Sequence, residues 1–442
     1  MGEAMIQRGK AFPVWESAVR SLRYWLTPGL GVKRWLVLLL VGITELALAL
    51  AYVLVTIYRE QPLPPIFYYL TLQFIPRLGR AVLFGFLGLA TTGFALVRLN
   101  RTLLSPFVQP GRDVAEILHR HRQRERGPRI VVIGGGTGQS TLLRGLKGMS
   151  ARLTAVVTVA DDGGSSGRLR REMGLLPPGD FRNCLAALAE AEPLMTALFQ
   201  YRFGRGTGLN GHAFGNLFIA AMAEITGSFE QAVAESSRVL AVRGRVLPCT
   251  VEHVVLAAEI RDAEGRIHRV DGESAIPEVR GRIERVWLIP EHARAYPETI
   301  RAILEADLIV LGPGSLYTSV LPNLLVEGIV PAIRASRALK VYVCNVATQI
   351  GETEGYGVAD HVQAIERHVG SGLFHLVLVN SRTDVAWKEV PEEVGELVRW
   401  DGQPIPPYTV VAMDVIDERT PWRHDPEKLA RALMMLYERY RR

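Results

Sequence analysis

The chain has 442 residues, 48% of them hydrophobic and 22% charged, the composition of a globular protein with an unusually apolar part attached. Its net charge of +6 is unevenly spread: nine Lys+Arg against four Asp+Glu in residues 1–97, eight against three in 98–129, and so a net −4 in 130–442. A globular part without its own basic face argues against nucleic acid as a partner. Three cysteines, Cys184, Cys249 and Cys344, are odd in number, far apart and without a CxxC pair, which argues against a disulfide framework and a zinc site. They read as small buried apolar side chains in a reducing compartment.

Two apolar runs come first. Residues 35–57 hold a single charge, Glu45, and about 20 apolar residues suffice to cross a bilayer. Residues 81–97 carry no charge and are bracketed by Arg77, Arg80, Arg98 and Arg101, placed as interfacial anchors would be. About thirty residues precede the first run and no small-residue cleavage site follows it, unlike a signal peptide. The pattern predicts an N-terminal two-helix transmembrane hairpin over residues 1–100, with spans at 35–57 and 81–97 and Glu45 facing the partner helix or a polar contact. Buried core helices are the alternative. Six Lys/Arg precede the first span, eight follow the second and three lie between. The expected localisation is therefore the inner cell membrane, multi-pass, with the globular domain in the cytoplasm. Residues 101–128 read as a basic juxtamembrane linker, either lying on anionic headgroups or forming a solvated helix.

From Arg129 the pattern becomes short apolar runs alternating with helical stretches. The candidate strands are 130–133, 154–159, 254–260, 285–289, 307–311, 340–344, 374–379 and 409–413, with helices at 139–149, 181–203 and 213–225 among them. Several runs are continuously β-branched, as strands buried on both faces of a parallel sheet are. The alternation predicts an α/β fold with a doubly wound, mostly parallel sheet over 129–442. The polar segment 261–284 reads as a hairpin or excursion at the sheet's edge.

Several loops carry candidate chemistry. The first strand runs into Gly134, Gly135, Gly136, Thr137, Gly138, Gln139 and Ser140, ahead of a helix. Glycines let a backbone approach a ligand closely, and a helix start offers N–H groups to phosphate. The spacing is neither a Walker loop nor a clean GxGxxG, so a tight strand-to-helix turn is the alternative and an NAD(P) oxidoreductase is disfavoured. The second strand leads through Thr158 to Asp161 and Asp162. These are candidates to hold Mg²⁺ beside a diphosphate, or simply a cap and turn. Asn183, His212 and Asn216 stand where apolar helices begin, as candidate contacts to a base, sugar or phosphate, or as satisfied structural groups. After strand 307–311 comes a second phosphate-type loop, Gly312 to Ser319, containing Gly314, Ser315 and Tyr317. Two such loops at strand ends of one sheet should converge on the crevice where open α/β sheets bind ligands. Arg243 and Arg245 are candidates to clamp a diphosphate, or to pair with surface acids.

Taken in order, VVIGGGTGQSTLLRGLK, TVADDGGSSGRLR, PPGDFRNCL, LNGHAFGNL, LAVRGRVLP, LGPGSLYTSVLPNLLVEGI and VYVCNVATQIGETEGY resemble the signature blocks of the YvcK family of gluconeogenesis factors. The resemblance spans about residues 129–442. It implies a Rossmann-like fold related to CofD, a transferase of deazaflavin cofactor synthesis that uses a guanylyl donor and Mg²⁺. It further implies UDP-sugar binding, of the UDP-N-acetylglucosamine type, and a role in cell shape and wall synthesis during gluconeogenic growth. The ligand loops it points to are Gly135–Gly138, Thr158–Asp162, Asn183, His212–Asn216, Arg243 and Gly312–Tyr317. The N-terminal hairpin departs from the family's soluble members.

Two functions follow. One is a nucleotide-sugar-binding regulator linking carbon metabolism to the cell envelope, with envelope proteins or a second copy as compatible partners that no residue names. The other is a Mg-dependent transferase of a phosphoryl, nucleotidyl or phospho-organic group, with Asp162 acting at the diphosphate.

Overall fold

The computed structural model describes residues 127–441 except 191, 192, 386, 388 and 389. Before these it describes 66–70, 72, 74–104 (backbone only from 95), residue 125 and isolated positions between 41 and 55. The chain forms two compact units, residues 1–122 and 123–442.

In the first unit a short helix α1 (Ile66–Leu70) precedes a 28-residue helix α2 (Arg77–Leu104). The first expected span, 35–57, lies outside the described residues except for isolated positions, among which Glu45 is exposed rather than packed on a partner helix. The second, 81–97, falls inside α2. Arg77, Arg80, Arg98 and Arg101 all lie within that helix. Its uncharged stretch rises only about 25 Å against a hydrocarbon core of about 30 Å. No helix among the described residues is long and apolar enough to cross a membrane.

The second unit is built on β1 (Ile130–Gly134), α3 (Gly136–Leu146), β2 (Leu153–Val157), α4 (Gly164–Met173), α5 (Gly179–Leu188), α6 (Pro193–Gln200), α7 (Phe214–Thr226), α8 (Phe229–Val239) and β3 (Arg245–Pro248). A meander follows, β4 (Val255–Arg261), β5 (Ile267–Asp271) and β6 (Arg282–Ile289). After it come α9 (Pro297–Glu305), β7 (Leu308–Leu311), α10 (Leu321–Leu324), α11 (Ile329–Ala335), β8 (Leu339–Val343), β9 (Ala347–Gln349), α12 (Val358–Val369), β10 (Leu376–Asn380), β11 (Val394–Leu397), β12 (Thr409–Met413) and α13 (Pro426–Tyr440).

The main sheet has seven strands in the order β12-β10-β8-β7-β1-β2-β3, and every pairing in it is parallel. Every residue of β1, β2, β7 and β10 is buried, which accounts for their unbroken apolar sequence. The chain winds outward from β1 to β3 on one side and from β7 to β12 on the other. The winding therefore reverses between β1 and β7, the switch point at which such sheets open a ligand crevice. Gln139 ties this centre together: its Nε2 donates to the carbonyls of Val132 in β1 and Val156 in β2, both at 2.9 Å.

Two of the predicted strands lie elsewhere. Residues 254–260 and 285–289 belong to an antiparallel sheet ordered β5-β4-β6 rather than to the parallel one. Alternation decides it, because β6 buries Ile283, Val286 and Leu288 while Arg285 points outward to pair with Glu259 at 3.0 Å. A sheet with one wet face is the antiparallel pattern. The segment 261–284 is the turn-bearing part of this meander, and its 3-10 turn Glu273–Glu278 hangs over the end of β2 through a bond from the Ser274 N–H to Asp162.

Candidate functional site

The two glycine loops meet at the switch point. Gly136 opens α3 with φ +63, a left-handed conformation that favours glycine. A Cβ at Gly138 would stand 2.7 Å from the Pro313 carbonyl oxygen, so the start of α3 touches the backbone of the loop after β7. Asn323, buried under both, donates from Nδ2 to the carbonyls of Gly134 and Ser319, each at 2.8 Å. The Gly314 N–H points to the Asn345 Oδ1 at 3.4 Å, and the Ser315 hydroxyl donates to Gln349 Oε1 at 2.6 Å. A cavity of about 230 Å³ opens against this cradle, lined by Gly136, Thr137, Gly138, Gly314 and Ser315 from the two loops and by Trp422 and His424 from the segment before α13. The α3 N-terminus suits it to an anion. A larger cavity, of about 1160 Å³, lies at the amino ends of the strands near Asp307, Lys340 and Thr409, away from the ends where open α/β sheets bind ligands.

On the β2 side the crevice is acidic. The half-buried Asp180 accepts the Gly136 N–H at 2.8 Å. Burial, with the nearby Asp161, pushes its carboxyl up to about 6. Asp161 is also raised by burial, against the bond it accepts from the Gly163 N–H at 3.0 Å. Glu273, carried in by the 3-10 turn, is pushed up to about 8 by burial and then by Asp161, Glu352, Asp162 and Asp180. Glu352, behind the second loop, is pushed up to about 7 by burial, although it accepts from the Thr318 hydroxyl at 2.9 Å and the Tyr317 N–H at 3.3 Å. Carboxyls crowded away from water resist ionisation unless a cation or proton joins them.

Asp161 and Asp162 do not form a joint clamp. Asp161 turns inward, with Oδ2 3.1 Å from where a Cβ on Gly179 would stand, whereas Asp162 turns to the Ser274 N–H at 2.9 Å. Among the described residues no three of His, Cys, Asp and Glu stand together as a metal cage. Were Mg²⁺ bound beside a phosphate, the residue placed to hold it would be Asp161 alone.

The remaining predicted residues divide. His212, Asn216 and Asn183 join one buried network. His212 Nδ1 is 3.0 Å from the Ser165 hydroxyl, Asn216 Nδ2 donates to the same oxygen at 3.0 Å, and Arg182 bonds Asn216 Oδ1 and Asn183 Oδ1 at 3.2 and 2.9 Å. Burial lowers the His212 ring, so it is neutral at pH 7. Thr158 is turned to its own loop, where its hydroxyl accepts the Ala160 N–H at 3.2 Å. Tyr317 is a correction: fully buried, its phenol bonds Tyr356 at 2.9 Å, and the side chain belongs to the core. Arg243 is a second correction. It precedes β3, at the amino ends of the strands, and pairs with Glu190 at 2.8 Å, and Arg245 pairs with Glu298 at 3.6 Å. The length of the sheet, about 15 Å, separates both from the glycine loops. The three cysteines are buried and free.

Sequence reading missed Asp180, Glu273, Asn345, Gln349, Trp422 and His424. An acid at the start of an apolar helix was a usable sign for Asp180. Glu273 sits in a polar excursion and gives no local sign of the site it reaches.

With this geometry in view, relatives place the chain. The family profile described as "2-phospho-L-lactate transferase CofD" matches residues 130–418. The "Gluconeogenesis factor" of Bacillus subtilis is 56% identical over 267 residues, 60% of this chain and 81% of that protein. A relative from Nostoc sp., bearing that name in provisional form, is 48% identical over 435 residues, 93% of this chain and 92% of its own. A crystal structure of a UPF0052 family member from Bacillus halodurans superposes with a TM-score of 0.64 at 45% identity, covering 70% of this chain and 99% of that one. The chain is thus a member of the CofD-like family, in its YvcK/UPF0052 branch of gluconeogenesis factors.

Proposed function

We propose that the chain binds a nucleotide sugar of the UDP-N-acetylglucosamine type and acts as a regulator coupling carbon metabolism under gluconeogenic growth to cell-envelope synthesis and cell shape. The observation that carries this reading is the contact of two glycine loops at the β1/β7 switch point, with α3 starting between them. The diphosphate lies over Gly136–Gly138 and Gly314–Ser315, where backbone N–H groups and the helix start meet negative charge. The N-terminal segment, residues 1–100, holds this unit at the inner cell membrane, and the exposed apolar side chains of α2, such as Phe86 and Leu89, are the basis for that part. Alkaline extraction of membranes checks it, since release of the chain into the supernatant would contradict a firm anchor.

A second reading, a Mg-dependent transferase of a phosphorus-containing group, draws on the half-buried carboxyls Asp161 and Asp180 beside the cradle. Phosphoryl chemistry asks for positioning and charge rather than a nucleophile. A thermal-shift panel of UDP-N-acetylglucosamine, UDP-glucose, GDP, GTP and NADH, with and without Mg²⁺, separates the two. Stabilisation confined to uridine sugars supports the regulator. Stabilisation by guanine nucleotides that needs Mg²⁺ supports the transferase, and no stabilisation by uridine nucleotides contradicts the first reading.

A further inference from the structure

Helices α6 and α7 present an apolar face that remains exposed among the described residues. Of the eight residues of α6 only Phe199 is buried. Leu194 is 79% exposed, and Met195, Leu198 and the following Tyr201 are exposed beside it. On α7, Ile225 is 77% exposed and continues the helical stripe of Phe218 and Met222, which are partly buried. The second unit exposes thirteen large apolar side chains among its described residues, and six of them fall between Leu194 and Ile225. Single apolar side chains are ordinary on a surface, whereas a clustered patch marks a place where something binds.

The two helices form an antiparallel hairpin. The Phe214 N–H donates to the Tyr201 carbonyl at 2.7 Å, Arg202 and Ala213 form an antiparallel bridge, and the Phe199 and Phe218 rings meet edge to face at 5.6 Å. Tyr201 therefore lies at the turn, with Leu194 and Ile225 toward the open end. Charge follows the same axis. Arg202 and Arg205 are exposed in the turn, and Glu224 is exposed at the open end. Neither Arg205 nor Glu224 has an ion pair among the described residues.

These features select the occupant. A lipid surface would suit the apolar side chains and the two arginines, but not Glu224, which stands next to Ile225 and would lose its water. A second copy of the same hairpin suits all of them. In a two-fold contact one patch serves both copies, so each residue meets its counterpart's neighbour twice over. Two hairpins set antiparallel bury Leu194, Leu198, Tyr201 and Ile225 in one four-helix layer and bring Arg202 and Arg205 of each copy toward Glu224 of the other. A parallel setting would bring like charges together.

We propose that the face of α6 and α7 is a homodimer interface, in which two copies of the chain pack these hairpins antiparallel about a two-fold axis. The inference is independent of the nucleotide reading. The turn between the helices ends at His212, whose ring meets the Ser165 hydroxyl, so dimerisation also steadies one side of that polar network.

The test is sedimentation velocity of the full chain in a nonionic detergent, as wild type, Leu198→Glu, Glu224→Arg, and Glu224→Arg combined with Arg205→Glu. The wild type is expected to be a dimer at about 10 µM. Leu198→Glu puts a charge into the apolar face and is expected to weaken association about tenfold or more. Glu224→Arg sets Arg against Arg and is expected to weaken it by about the same factor; adding Arg205→Glu restores the opposite pairing and most of the affinity. An unchanged circular-dichroism spectrum reports that each variant is folded, and the charge pair decides alone should Leu198→Glu fail that check. A wild type that stays monomeric up to about 100 µM overturns the interface and leaves the face to another protein or a lipid surface. A dimer that Leu198→Glu leaves intact, or a double variant that associates no more tightly than Glu224→Arg, overturns it as well.

Discussion

The two sides of the switch point are built from opposite materials. On the β7 and β8 side the crevice wall is backbone amides and neutral side chains: Gly314, Ser315, Asn345 and Gln349. On the β2 side it is carboxyls kept from water: Asp161, Asp180 and Glu273. An anion can rest on the first wall without help. On the second it meets repulsion unless a proton or cation intervenes. The difference explains why the glycine loops are tied down by Asn323 and Gln139, because preorganised dipoles attract an anion only if they do not relax. It also makes the acidic wall the place where pH and divalent ions should act.

The most damaging way to break this contrast is to fill the cradle. Gly138→Ala puts a methyl group 2.7 Å from the Pro313 carbonyl oxygen, backbone against backbone, and neither loop can yield easily. Uridine nucleotide affinity is expected to fall about 100-fold, equivalent to about 2.7 kcal/mol, by calorimetric titration. A variant that retains full affinity would mean that the phosphates lie elsewhere. Gln139→Leu strikes beneath the cradle by removing the amide bonds to the Val132 and Val156 carbonyls. It should cost about 1–3 kcal/mol in chemical denaturation.

The acidic wall predicts a pH dependence. A carboxyl whose folded pKa exceeds its unfolded value takes up a proton on folding. Its favourable contribution is complete below the unfolded value and is lost as pH rises through the folded one. Asp180, Glu352 and Glu273, raised from 3.8, 4.5 and 4.5 to about 6, 7 and 8, set the window. Stability should therefore decline from about pH 4 to pH 8. Glu273→Gln should flatten the upper part of that decline and stabilise the chain by about 1–2 kcal/mol at pH 9, seen as a higher Tm. A profile unchanged by this substitution would remove Glu273 from the cluster. The smallest effect belongs to Arg243→Ala at the far end of the sheet. It breaks a half-exposed ion pair with Glu190, for a loss below about 1 kcal/mol, and ligand affinity should stay within about twofold.

What the sequence revealed follows the same division. The parallel strands were legible because burial on both faces leaves a continuous apolar run, as in Ile130–Gly134 and Leu376–Asn380. The glycine loops were legible because backbone geometry restricts residue type. The four-residue β3, Arg245–Pro248, was too short to register, and Arg243 and Arg245 at its start drew a ligand role that their place at the strands' amino ends does not support. Tyr317 follows a glycine loop and so looked like a ligand contact, yet the π-helical turn Leu316–Val320 sends it into the core. Glu273 and His424 were hidden for a different reason. Each reaches the crevice from an element more than a hundred residues away from the glycine loop it faces, and no local spacing records such a contact. Asp161 and Asp162, adjacent in sequence, were paired in the reading, but successive side chains on an extended segment point apart.

The most direct test of the central claim is a crystal structure of the full chain with UDP-N-acetylglucosamine bound. The account predicts the diphosphate between Gly136–Gly138 and Gly314–Ser315, at the carboxyl ends of β1 and β7. A diphosphate seated at the amino ends of the strands, near Lys340 and Asp307, would contradict it.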